Sequence, residues 1–115
     1  MKKILITGAS GFIGTNLMED LILKGYDVCN VDYKKPKIAE RSNLWKNVDI
    51  INYESFEKAV LDFQPDYLIH LAARTDLDGK TLKDYDANVT GVENLMKILH
   101  KTPNLKKVII ASSKF

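Results

Sequence analysis

At 115 residues, with 45% hydrophobic and 28% charged residues, the chain has the size and balance of one soluble globular domain and not of a disordered segment. A formal net charge of +2 gives no electrostatic case for nucleic acid or an anionic membrane surface as a partner. No apolar stretch approaches the roughly 20 residues that a bilayer requires, and a lone cysteine, Cys29, rules out an internal disulfide.

The apolar run behind Met1-Lys2-Lys3 stops at Gly8, short of the apolar core of a secretory signal, so the cytoplasm is the expected compartment. That run, Ile4–Thr7, is predicted as the first buried strand. A helix follows, with Ile13, Leu17 and Leu21 at i, i+4 and i+8 and Gly25 as its stop. Val28–Asp32 reads as the second strand, with Cys29 inside it as core packing. The polar stretch Tyr33–Lys46, broken by Pro36, reads as a loop with one helical turn around Trp45. Val48–Ile51 is the third predicted strand, Ser55–Phe63 a short helix ended by Pro65, and Tyr67–Leu71 the fourth strand. Tyr85, Val89, Val92, Met96 and Leu99 trace one face of a longer helix that Pro103 must terminate, with His100 favourably placed at its negative end. Val108–Ala111 is the fifth strand. The strands are near-continuous in hydrophobicity, as expected when helices cover both faces of a parallel sheet. The predicted fold is therefore α/β, a doubly wound parallel sheet of Rossmann type with about five strands.

Chemistry enters at Gly8-Ala9-Ser10-Gly11-Phe12-Ile13-Gly14, which follows a predicted strand and opens a predicted helix. Gly8 suits a positive φ at the sharp exit from the strand. Gly11 lacks the Cβ that would hold a diphosphate off the backbone, and Gly14 lets the helix lie close. The N–H groups of the first helical turn, including those of Phe12 and Ile13, then face an anion at the positive end of the helix dipole. A plain tight strand–helix turn is the competing reading. Asp32 favours binding, because it ends the second strand 18 positions after Gly14, where a carboxylate accepts both hydroxyls of an adenosine ribose. It can also be a solvated turn aspartate. A carboxylate there repels a 2′-phosphate and so favours NAD, while Lys34, Lys35 and Lys37 leave NADP possible.

Thr7-Gly8-Ala9-Ser10-Gly11-Phe12-Ile13-Gly14 resembles the GxxGxxG signature of the extended short-chain dehydrogenases/reductases, the NAD-dependent epimerase/dehydratase group acting largely on nucleotide sugars. Further resemblances follow in order. Val48-Asp49-Ile50 is similar to the family's acidic–hydrophobic pair, which implies that Asp49 meets the adenine amino group and the Ile50 N–H the ring. His70-Leu71-Ala72-Ala73 resembles the motif running beside the cofactor, where small Ala72 and Ala73 keep the groove open. Thr75 corresponds to a position near the nicotinamide ribose, and Asn88-Val89-Thr90-Gly91 to a helix motif whose asparagine supports the fourth-strand loop near the cofactor. Ser113, in Ala111-Ser112-Ser113, aligns with the catalytic serine that hydrogen-bonds the reacting sugar oxygen.

Each match also has a structural reading. His70 reads as a structural histidine at a strand end, Asn88 can satisfy a buried backbone group, Asp49 can be a surface acid, and Ser112 and Ser113 a polar chain end. No metal site is expected.

The family's chemistry also needs a tyrosine and a lysine four residues apart in a helix beyond the serine, and the sequence stops at Phe115. Tyr85 precedes the serine and has Val89 at i+4, so it is no substitute. The resemblance therefore implies that residues 1–115 are the N-terminal portion of a dinucleotide-binding domain without its substrate domain, itself inactive. The parent enzyme would act on a nucleotide sugar. The alternatives are a stand-alone dinucleotide-binding sensor or regulatory module, and a remnant that folds but binds nothing. The fifth strand is expected at an exposed sheet edge, which invites self-association and a homo-oligomer.

Overall fold

The apolar runs pair as five parallel strands. Lys3–Thr7 (β1), Asp27–Asp32 (β2), Trp45–Asn47 (β3), Tyr67–His70 (β4) and Lys107–Ile110 (β5) form one sheet in the order β3-β2-β1-β4-β5. The helices between them are Phe12–Leu23 (α1), Tyr53–Phe63 (α2) and Leu82–Leu99 (α3), with a short 3-10 helix at Ala39–Leu44. The computed structural model describes residues 2–71 and 82–111, and of residues 82–88 the backbone alone.

Successive side chains of a strand point to opposite faces, and here both faces are covered. Ile4, Ile6 and Val28 pack with Ala9 and Met18 on the α1 side. Leu5, Cys29, Val31 and Leu68 pack on the other side with Phe56, Ala59 and Val60 of α2 and Leu95 and Ile98 of α3. Two cores on one sheet explain why its strands read as unbroken apolar runs. The doubly wound parallel architecture is as expected.

Several local expectations change. The third strand is Trp45–Asn47, not Val48–Ile51, and Trp45 pairs with Asn30. Val48 and Ile50 are buried, but as plugs in the loop that follows. Their apolarity signalled burial, which is not the same as membership of the ladder. The Trp45 indole N–H instead donates to the Asp32 carbonyl at 2.7 Å, drawing its own segment to the sheet. The helical turn expected around Trp45 ends just before it, at Leu44.

The helix faces are rotated as well. In α1 the buried residues are Gly14 and Met18, with Leu17 and Leu21 half-buried beside them, while Ile13 is 70% exposed. In α3 the buried line is Gly91, Asn94, Leu95 and Ile98, whereas Val89 and Met96 face outward. Apolar residues occupy more than one stripe of α3, so spacing alone does not choose between them. Two contacts do. A Cβ at Gly91 would lie 2.5 Å from Ile50 Cδ1, and the Asn94 amide donates to the carbonyls of Ile50 at 2.8 Å and Ile51 at 3.2 Å.

The helix ends follow local chemistry. Gly25, with φ of 88°, stops α1, and its N–H bonds the Ile22 carbonyl at 3.0 Å. Asn52 caps α2 through its side chain to the Ser55 N–H, so that helix starts at Tyr53, earlier than Ser55. Gln64 in the left-handed region, then Pro65, ends it. At the sheet margin β5 pairs, among the described residues, with β4 alone and leaves Ile109 and Ile110 about half exposed, as an edge strand does.

Candidate cofactor-binding site

Because every strand is parallel, all their C-terminal ends lie along one edge of the sheet. The glycine turn leaves β1 there, Asp32 ends β2, Asp49 and Ile50 follow β3, and Leu71 follows β4. From β1 the chain builds outward through β2 and β3, then crosses back to place β4 on the other side of β1. Such a reversal opens a crevice between neighbouring loops, the usual ligand position in open α/β sheets.

The turn itself is held from inside. Gly8 has φ of 73° and donates its N–H to the Val31 carbonyl at 2.9 Å. The Ala9 N–H donates to Asn30 Oδ1 at 3.1 Å and the Ser10 N–H to Asp32 Oδ2 at 3.1 Å. Gly11, extended at φ of −79°, begins α1, and no side chain caps the helix. Thr15 is the first residue whose N–H bonds backward, to the Gly11 carbonyl at 2.9 Å. The N–H groups of Phe12, Ile13 and Gly14 thus precede the helical ladder, and Gly11, Phe12 and Ile13 are exposed around them.

The two inner glycines answer to different demands. A Cβ on Gly14 would sit 2.4 Å from Ala9 Cα, so the helix and the turn touch backbone to backbone. A Cβ on Gly11 would meet nothing nearer than the Gly8 oxygen at 3.8 Å, at an ordinary φ. The fold needs a glycine at 14. It does not need one at 11.

Asp32 is buried, and both carboxylate oxygens are engaged: Oδ2 with Ser10, and Oδ1 with the Lys34 N–H at 3.0 Å. It is not the solvated turn aspartate of the competing reading. Lys34, Lys35 and Lys37 are exposed, and Lys34 Nζ lies 5.7 Å from the Tyr33 ring centroid. Asp49 is half-buried and accepts the Ile51 N–H at 3.2 Å, while Ile50 is held by Gly91 and Asn94. The Val48 N–H joins this loop to the Asp32 carbonyl at 3.2 Å.

His70 is a buried structural residue. Its Nδ1 lies 2.7 Å from Thr7 Oγ1, which also accepts the Leu71 N–H at 3.1 Å. Burial pushes the imidazole below its ordinary pKa. The unfolded chain then takes up a proton near pH 6.5 that the folded one refuses. Stability should therefore fall as the pH drops below that value and level off below the folded-state pKa. Urea titrations between about pH 7.5 and 5 should record this loss, and His70→Asn should flatten it; an unchanged slope in the variant would assign the effect elsewhere. Cys29 is core packing, its thiol pushed up to about 11 by burial and so protonated at neutral pH.

The structure thus places Gly8, Gly11, Phe12, Ile13 and Gly14 at the same sheet edge as Asp32, which bonds the turn through the Ser10 N–H, with Asp49, Ile50 and Leu71 along that edge. Ala72, Ala73, Thr75, Ser113 and the Asn88 side chain lie outside the described residues. Sequence reasoning passed over Asn30 and Asn94. Their signal was a lone amide inside an otherwise apolar strand and on an apolar helix stripe. Tyr33 and Lys37 are four residues apart, but Pro36 separates them in an irregular segment and not on a helix. Among the described residues no group of His, Cys, Asp or Glu could hold a metal, and no helix is long and apolar enough to cross a membrane.

Comparison with known proteins places this arrangement. A UDP-N-acetyl-alpha-D-glucosaminuronate decarboxylase of Bacillus cytotoxicus is 34% identical over 97% of this chain and 36% of its own length. The crystal structure of UDP-glucose 4-epimerase from Thermotoga maritima with UDP-glucose superposes with a TM-score of 0.82 at 31% identity, covering 96% of this chain and 37% of that one. The UDP-glucose 4-epimerase of Bifidobacterium longum, in complex with NAD+ and UDP, gives 0.84 at 30% identity, with 97% and 37% covered. The chain therefore spans little more than a third of the length of these relatives. The model of the NAD dependent epimerase/dehydratase family matches residues 4–114, nearly the whole chain, and the protein belongs to that family.

Proposed function

We propose that this chain binds NAD through the glycine turn and Asp32, as the cofactor half of a nucleotide-sugar epimerase/dehydratase-type oxidoreductase. One observation carries the reading. The N–H groups of Phe12, Ile13 and Gly14 precede the helical ladder, and Phe12 and Ile13 are exposed beside Gly11, where a Cβ would meet no close neighbour. A missing Cβ with no internal use leaves room for a ligand, and unbonded N–H groups at a helix start suit a pyrophosphate. Asp32 stands one hydrogen bond away, and each of its oxygens keeps a lone pair for a ribose hydroxyl. Asp49 and Ile50 would face the adenine, and Leu71, Ala72, Ala73, Thr75 and Asn88 the remainder of the dinucleotide. Ser113 would touch the sugar.

The Bifidobacterium longum relative, crystallised with NAD+ and UDP, supports both ligand classes. When bound, the nicotinamide supplies hydride transfer at a sugar carbon. This chain's own part is to bind and orient the cofactor. The proton-transferring tyrosine and its lysine partner would lie beyond Phe115, so these residues alone would not turn over a sugar. NAD is preferred over NADP because the Asp32 carboxylate faces the position of a 2′-phosphate.

Calorimetric titration of the chain with NAD and with NADP tests site and preference together. Tighter binding of NAD is the expected result, and failure of both to bind would end the proposal. In the reading frame after Phe115, a Tyr-x-x-x-Lys within a few tens of residues would mark the oxidoreductase, whereas a stop codon would favour a binding module. The exposed edge of β5 should also drive self-association of the isolated chain. Light scattering that finds a monomer at high concentration would count against it.

A further inference from the structure

Asn30 lies inside β2, 1% exposed, between Cys29 and Val31. A buried amide in a strand is costly unless its polar atoms are paired, and here both are spent on the glycine turn. Oδ1 accepts the Ala9 N–H at 3.1 Å, and Nδ2 donates to Ser10 Oγ at 3.0 Å. Ser10 Oγ in turn donates to the Lys34 carbonyl at 2.7 Å. The Lys34 N–H returns to Asp32 Oδ1 at 3.0 Å, and Asp32 Oδ2 accepts the Ser10 N–H at 3.1 Å. The bonds close a circuit through the turn, the end of β2 and the loop after it.

We propose that Asn30 is a positioning residue for the dinucleotide: it holds the turn in its anion-ready shape and, through Ser10, locks that turn to the end of β2 at Asp32 and the loop that follows it. The inference rests on the NAD reading above. The circuit pairs the N–H groups of Ala9 and Ser10 internally, and those of Phe12, Ile13 and Gly14 follow ahead of the first helical bond at Thr15. It also sets the spacing between the pyrophosphate end and the ribose end of the site. Without it, binding must order the turn and loop as well as the ligand, which lowers affinity.

The test compares NAD affinity by calorimetry with backbone ordering by 15N relaxation at Gly11–Gly14 in the ligand-free chain. Asn30→Leu, similar in size but without polar atoms, should raise the Kd for NAD about tenfold or more and loosen those amides. Val60→Ala, in the opposite core, should lower the melting temperature yet keep NAD affinity. Ser10→Ala breaks the circuit without altering the strand, should weaken NAD binding in the same direction, and decides the matter if Asn30→Leu does not fold. NAD affinity equal to wild type in Asn30→Leu or Ser10→Ala overturns the proposal, and so do equal losses in Asn30→Leu and Val60→Ala. A wild-type chain that does not bind NAD removes the cofactor reading and this one with it.

Discussion

Replacing Gly14 by alanine should destabilise the fold by roughly 1–3 kcal/mol, the usual cost of overpacking, and valine should cost more. The added Cβ would lie 2.4, 2.8 and 2.9 Å from Ala9 Cα, C and O. These are backbone atoms, which cannot rotate away, so α1 must shift off the turn. Helix propensity argues the other way, since alanine inside a helix is better than glycine by about 1 kcal/mol. A Gly14→Ala chain as stable as wild type in urea would show that the close approach does not constrain the fold.

Gly11→Ala is the matched control. Its Cβ would meet nothing inside 3.8 Å at an ordinary φ, so stability should fall by no more than about 1 kcal/mol, the cost of alanine in place of glycine at a helix N-cap. Its NAD affinity should nevertheless fall, because the Cβ would occupy the side from which the pyrophosphate approaches. The pair would separate a glycine needed for packing from one proposed to make room for a ligand.

Asp32→Ala should weaken NAD binding about ten- to a hundredfold, from the loss of hydrogen bonds to a charged acceptor worth about 1.5–3 kcal/mol. It should also destabilise the chain by roughly 1–3 kcal/mol, since the Ser10 N–H is left without its acceptor in a buried setting. Asp32→Asn removes the charge but keeps an oxygen for one of the two N–H donors. With Lys34, Lys35 and Lys37 exposed nearby, that variant should narrow the preference for NAD over NADP. Calorimetry on the two variants with both cofactors checks the assignment, and unchanged NAD affinity in Asp32→Ala would remove the ribose role.

Much of this arrangement was legible because it rests on short-range chemistry. An apolar run ending in Thr7-Gly8 is free to stop at a positive-φ turn, and Gly25 and Pro65 suit helix ends wherever those helices packed. The face of α3 was not legible in the same way. Val89 and Met96 look as suited to a core as Leu95 and Ile98 do, until Gly91 and Asn94 meet the loop at Ile50. Val48 and Ile50 likewise carried a burial signal that a strand and a plugged loop share.

The sequence by itself determined the strand–turn–helix opening, the parallel class of the sheet and the placement of Asp32 at a strand end. Each of those follows from neighbours a few residues apart and from backbone conformations open to few side chains. Tertiary structure alone decided the register of β3, the rotation of α1 and α3, and the work of Asn30 and Asn94. Asn30 bonds to residues 20 and 21 positions away, and Asn94 reaches 44 positions back to Ile50. A polar side chain at such a distance has a partner only once the sheet has brought the two segments together. Until then it is an unexplained amide in an apolar run. The glycine turn was therefore visible from the start, and what holds it in shape was not.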